Sequence, residues 1–173
     1  MKEIKKYHDN GQIQLHYYQL NGLYHGKFRR WYDNGQLLVQ AHYDNDLLHG
    51  ECKRWYNDGK LSSIVYYQHG KSHGDYKRWS PNGQMYLHKQ YNNGKLYGEF
   101  KVWYDNGQLQ THRHYLNDRS HGQYKTWDNN GKLTENTFWS HGKDVTEQVH
   151  QLVTDINNIT QEERTLIKLA VGC

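Results

Sequence analysis

The sequence predicts a mainly β chain: a single elongated, twisted antiparallel sheet of repeated β-hairpins, capped by C-terminal α-helices. Three observations carry the prediction. A glycine preceded by Asn or Asp returns every 24 residues, as Gly11, Gly35, Gly59, Gly83, Gly107 and Gly131. Aromatic and β-branched segments flank each of these turns, and a helical apolar period appears only after residue 144. A fixed period of this length marks an array of identical supersecondary units, in which each unit contacts its neighbours rather than one central core.

The first element is the hairpin. In the unit from Gly26 to His49, two segments of strand composition enclose Asp33-Asn34-Gly35, a strong hairpin signal. A two-residue loop would set Trp31 opposite Leu38. A three-residue loop with Gly35 in a left-handed conformation sets it opposite Leu37, which recurs as Leu61, Met85, Leu109 and Leu133. The longer loop is therefore expected, with the Trp, Leu and Tyr columns on one face. A second glycine column (Gly26, Gly50, Gly74, Gly98, Gly122) precedes each tryptophan by five residues. A second turn carries Gly22, Gly70, Gly94 and Gly142, with Asp46 and Asp118 in the remaining two units. Connections this short make consecutive hairpins pair edge to edge. About six hairpins, the first degenerate, give about twelve strands and, at ~4.8 Å each, an array roughly 50 Å long. It should coil, because strand twist accumulates.

The second element is the tail. The array is expected over residues 1–143 and a helical cap over 144–173. Asp144 and Glu147 suit a capping box ahead of Val145, Val149, Leu152, Val153 and Ile156 at helical spacing. Thr160 and Glu163 suit a second box, so two short helices broken at Asn157-Asn158 are expected.

Bulk composition bounds the function. Only 35% of residues are hydrophobic, yet sixteen Tyr and six Trp exclude an aromatic-poor disordered chain. The net charge of +4 permits contact with anionic surfaces without requiring it. Cys52 stands where sister units carry Phe28, Tyr76, Phe100 and Tyr124, so it reads as a reduced strand filler, and a bridge to Cys173 is not expected. No stretch reaches the ~18 apolar residues of a membrane span, and the N-terminus has no secretory pattern. An intracellular, cytoplasmic protein is expected, at most peripheral to a membrane.

The unit H-G-x-F/Y-K-R-W-Y-x-N-G-Q-L…Y-x-N-G-K resembles the MORN repeat in a variant, slightly longer form. His49-Gly50, Trp55-Tyr56, Asp58-Gly59-Lys60 and Tyr67 carry the match in one unit, and His121-Gly122, Trp127, Asn130-Gly131 and Trp139 in another. The resemblance spans residues 7–143. It implies an elongated twisted sheet that acts as a protein-interaction scaffold and dimerises in several proteins. Phospholipid binding is associated with some members, and variant repeats also occur in antitoxin-like bacterial proteins and in large DNA viruses.

The residues themselves point to a surface rather than to chemistry. No G-x-S-x-G, Walker-type loop or H-E-x-x-H is present, so an enzyme is not expected and no cofactor or small-molecule substrate is implied. The column His25, His49, His73 and His121 suggests a metal. Equivalent positions lie two strands apart, about 9–10 Å, too far to converge on one ion, and no metal site is expected. His112 and His114 share a strand face, with neighbours the sequence does not identify.

Two sets of binding residues remain. The aromatic set is Trp31, Trp55, Trp79, Trp103 and Trp127 with Tyr43, Tyr67, Tyr91 and Tyr115, available to a protein partner, including a second copy of the chain through the uncovered edge near Ile4 to Tyr7. The basic set is Arg29, Lys53, Lys77, Lys101 and Lys125, two residues before each tryptophan, with Arg30, Arg54 and Arg78 on the opposite face. The first column either covers the tryptophans with its aliphatic stems and cations or meets an anionic membrane surface. Glu51, Asp75 and Glu99 lie on its face and would neutralise part of it. Nucleic acid is not an expected partner, since it demands a denser basic patch.

Overall fold

The computed structural model describes residues 1–160 and Glu163. It is one open antiparallel sheet followed by one helix. Twelve long strands form six hairpins: β1 (Lys2–Tyr7) with β2 (Ile13–Leu20), β3 (Leu23–Trp31) with β4 (Leu37–Asp44), β6 (Gly50–Trp55) with β7 (Leu61–Gln68), β8 (Lys71–Trp79) with β9 (Met85–Asn92), β10 (Lys95–Trp103) with β11 (Leu109–Leu116), and β13 (Gly122–Trp127) with β14 (Leu133–Ser140). Three two-residue strands complete the sheet: β5 (Leu47–Leu48), β12 (Arg119–Ser120) and β15 (Lys143–Asp144). Neighbours in the sheet are neighbours in sequence, as short connections require.

The expected three-residue loop is present. The Gly35 amide donates to Tyr32 O at 3.1 Å and the Tyr32 amide to Gln36 O at 2.9 Å, with Gly35 at φ 83°. Trp31 pairs with Leu37. The second turn differs in kind: both of its residues have positive φ, as at Asn21 (52°) and Gly22 (84°), the two-residue form whose twist matches the flanking strands. Asp46 replaces glycine there by bonding back to the previous unit. Its carboxylate accepts from the Tyr24 amide at 2.6 Å and its own amide donates to Tyr24 O at 2.9 Å. Asp118 does the same to Leu96.

One expectation is corrected. The Trp, Leu and Tyr columns do not share a face. Trp31 opposes Leu37, but Arg30 opposes Val39, so Leu38 is an extra residue in β4. The same shift recurs at Trp55, Trp79, Trp103 and Trp127. An extra residue reverses the alternation beyond it. Tyr43 therefore joins Phe28 and Ala41, while Trp31 stays with Arg29 on the other side.

The core lies on the tyrosine face. Ala41, Cys52 and Val65 are buried there, packed by Phe28, Val39, Tyr43, Leu48, Tyr67 and Tyr76. Cys52 is a free buried thiol, and burial raises its pKa; Cys173 lies outside the described residues. The helix α1 (Thr146–Asn158) docks on the last long strand: the Val145 amide donates to Phe138 O at 2.8 Å and the Phe138 amide to Thr146 Oγ1 at 2.9 Å. The expected capping box does not form: the N-cap is Val145 with no side-chain cap bond, and Asp144, one residue before it, accepts from the Thr146 amide at 2.9 Å. The Thr160–Glu163 box forms, with Thr160 N donating to Glu163 Oε2 at 2.8 Å and Glu163 N to Thr160 Oγ1 at 3.3 Å. The helix expected after it lies outside the described residues. No helix among the described residues is long and apolar enough to cross a membrane.

Candidate interaction faces

Because the sheet is a single layer, each strand sends alternate side chains to two surfaces of different charge. On the tryptophan face Trp31, Trp55, Trp79, Trp103 and Trp127 are half-buried beside their leucine or methionine partners. Trp127 and Leu109, from successive units, line one shallow depression. The basic column of this face is half-buried and largely paired within the chain. Lys53 Nζ lies 2.6 Å from Glu51, Lys77 3.0 Å from Asp75 and Lys101 2.8 Å from Glu99. Lys5 and Glu3 repeat the pair at 3.0 Å in the first hairpin. Burial opposes ionisation of Asp75, but hydrogen bonds from His88, Lys77 and Gln90 hold its carboxyl well below the usual carboxylate range. Hydrogen bonding from Lys101 lowers Glu99 in the same way. Arg29 and Lys125 have no such acid, because their hairpins carry Lys27 and Gln123 at that position.

The ammonium groups of this column do not sit on the tryptophan rings. Among the described residues, cation–ring contacts fall on the tyrosine face: Arg78 over Tyr86 at 5.3 Å, Lys89 over Tyr76 at 5.0 Å and Tyr91 at 5.1 Å, and Arg113 over Tyr124 at 4.0 Å. Arg113 also faces Tyr115 and Trp139. On the same face Tyr43 packs on Phe28 at 5.5 Å, Tyr115 packs on Phe100 at 5.8 Å, and Tyr67 packs on the buried cluster.

Register places the second basic column across the tyrosine face in one row. The pairs run Lys6–Leu15–Arg30–Val39–Arg54–Ser63–Arg78–Leu87, after which Val102 ends the cations. Alternate strands bring a cation roughly every 10 Å. Arg30, Arg54 and Arg78 are exposed. Among the described residues no carboxylate pairs with any of the four, nor with Lys89 or Arg113. Arg54 and Arg78 flank an open depression of about 310 Å³ with Ser62, Ser63, Tyr67 and Tyr76. Lys6 and Arg30 flank another of about 210 Å³ with Tyr24 and Phe28. Lys6, Lys89 and Arg113 were not among the residues expected from sequence. Lys6 stands one period before Arg30, so the repeat itself marks it, whereas Lys89 and Arg113 join this face only through the register past the extra residues Tyr86 and Gln110.

The chain-long repeat of this geometry matches a family. A model described as MORN repeat variant matches residues 24–45, 48–69, 72–93, 96–117 and 120–141. The chain belongs to this family. No curated protein matches it. The matched MORN segments begin after the β1–β2 hairpin, which nevertheless pairs in the same register and adds Lys6 to the arginine row. Family membership accounts for a repeat scaffold suited to protein or membrane interaction.

Proposed function

We propose that the protein is a non-enzymatic MORN scaffold that binds an acidic protein surface across its tyrosine face. The observation that carries this is the row Lys6, Arg30, Arg54 and Arg78, exposed and, among the described residues, unmatched by any carboxylate beside half-buried aromatic rings, while the lysines next to Glu51, Asp75 and Glu99 are neutralised within the chain. Arginines next to aromatic rings are the usual anchors of an interface. Charge of one sign selects a partner of the other and raises the rate of encounter. The absence of a pattern for nucleophile, base or phosphate cradle in the sequence supports a binding role.

A second copy of the chain is the other occupant expected from sequence. The outer edge of β1 supports it, since that strand pairs with β2 alone. Lys2, Lys5 and Lys6 blunt the same edge against strand addition, and two tyrosine faces repel each other. These features favour an acidic heterologous partner; the antitoxin-like role would be one instance. A light-scattering mass of one chain at micromolar concentration removes the dimer.

The deciding experiment is affinity purification from the native cell with the wild-type chain and with Arg30→Glu/Arg54→Glu/Arg78→Glu. The expected result is a co-purifying acidic protein whose affinity for the triple variant falls at least tenfold, about 1.4 kcal/mol or more. Substituting Lys53, Lys77 and Lys101 by glutamine should leave it bound. A partner unaffected by the triple arginine change overturns the assignment of the face. Sedimentation with acidic vesicles at low salt, lost in the arginine variant and without a protein partner, transfers the face to a membrane.

A further inference from the structure

The tryptophan face carries a cluster that the scaffold reading does not use. In four of the six hairpins an acidic residue on the first strand faces two positions, spaced by two residues, on the second. These are Glu3 with His16 and Tyr18, Glu51 with Ile64 and Tyr66, Asp75 with His88 and Gln90, and Glu99 with His112 and His114. Only the β10–β11 hairpin places histidine at both. One ligand atom from each of Glu99, His112 and His114 lies within 4.8 Å of the other two. His112 Nε2 is 3.4 Å from Glu99 Oε1, and the two imidazole centroids are 4.9 Å apart. Two ligands bound at ~2.1 Å around a tetrahedral ion stand about 3.4 Å apart.

The preceding hairpin supplies an internal comparison. There His88 Nε2 and Gln90 Nε2 both bond Asp75 Oδ1, at 3.0 and 3.1 Å, and Gln90 Oε1 accepts from the Glu99 amide at 3.0 Å. The cluster is closed by its own hydrogen bonds. In the β10–β11 hairpin His112 Nε2 is buried and reaches Glu99 Oε1 only at a long 3.4 Å, a weak contact for a buried ring nitrogen. Lys101 Nζ lies 2.8 Å from both Glu99 oxygens and holds the carboxylate in place.

We propose that Glu99, His112 and His114 form a site for one divalent transition-metal ion of the zinc class. Two imidazoles and one carboxylate select such an ion over magnesium or calcium, which take oxygen ligands. The site is assembled by side chains one strand apart, so the spacing that excludes the His25 column does not apply to it. Lys101 is the competitor: its ammonium must leave the carboxylate when the ion enters. It therefore sets a ceiling on affinity.

The test is titration of the intact protein with Zn²⁺ by calorimetry and with Co²⁺ by visible absorption, comparing wild type with His114→Gln, His112→Asn and Lys101→Met. His114→Gln copies the residue that the preceding hairpin accommodates at the same position, so the fold should persist, which circular dichroism checks. One ion per chain is expected, weakened at least tenfold by His114→Gln and by His112→Asn and tightened by Lys101→Met, with a four-coordinate Co²⁺ spectrum in the wild type. Zinc binding unchanged by both histidine variants would place the ion on other histidines and overturn the proposal. So would the absence of a one-to-one complex. Unchanged or weaker binding by Lys101→Met overturns the role of the lysine.

Discussion

Gly98→Val should destabilise the array by about 3 kcal/mol, measured as a lowered midpoint in chemical denaturation without change of fold. Two costs combine at this position. Gly98 has φ +80°, where a β-branched side chain is strained by roughly 1–2 kcal/mol. A Cβ there would also collide with Gln90 Oε1, the atom that accepts the Glu99 amide bond. Displacing that oxygen loses a further ~1 kcal/mol and leaves an amide seeking a partner. Gly50→Val separates the two costs. Gly50 has φ +79° but no atom within 4 Å of its added Cβ, so only the conformational cost remains. A Gly98→Val effect no larger than that of Gly50→Val would show that Gln90 moves aside freely.

The glycine period shows which parts of this fold a sequence displays. Turns are local: the type of a three-residue loop is decided by Asn34, Gly35 and the recurrence of Leu37, all within a few residues. Repetition then multiplies that local certainty along the array. The extra residue at Leu38 is different. It appears only in the pairing of Arg30 with Val39 rather than Leu38, and the residue there varies among Leu38, Ser62, Tyr86, Gln110 and Thr134. No composition marks it. Yet it decides the functional surface, since it moves Tyr43 and its counterparts away from the tryptophans and gathers them beside the Arg30 row. The neutralisation of Lys53, Lys77 and Lys101 was legible because both members of each pair lie on one strand, two residues apart. The Glu99–His112–His114 cluster was only half legible. The histidines share a strand, but Glu99 reaches them through the 99–114 register.

The coupling between units is the other feature that pairing alone reveals, and it yields the second large effect. Tyr32, Tyr56 and Tyr104 each follow a tryptophan and donate the phenol hydroxyl to the carbonyl of the next unit's tryptophan: Trp55 O at 2.9 Å, Trp79 O at 2.7 Å and Trp127 O at 2.9 Å. Asn34 and Asn106 add amide bonds to Asn57 O at 2.7 Å and Asn129 O at 2.8 Å. In a linear array such bonds are the nearest-neighbour terms that make separate hairpins unfold together. Each half-buried hydroxyl contributes about 1 kcal/mol. The three sites share no partner, so the combined Tyr→Phe variant should lose about 3 kcal/mol. Its denaturation transition should also broaden, because the change weakens the seams rather than the hairpins. A sharp transition with an unchanged midpoint would show that strand pairing alone couples the units. The fourth unit marks where separation begins. Ser80 stands in place of tyrosine and bonds within its own turn, to Asn82 and to Gln84 O at 3.1 Å, while Asn82 bonds the Gln84 amide at 2.9 Å. Across that seam the turns are joined by Gln84 Nε2 to Tyr104 O at 3.2 Å. Amide exchange should therefore be fastest, among the interior seams, at the turns of residues 80–84 and 104–108. Ser80→Tyr should slow it by restoring a donor to the Trp103 carbonyl.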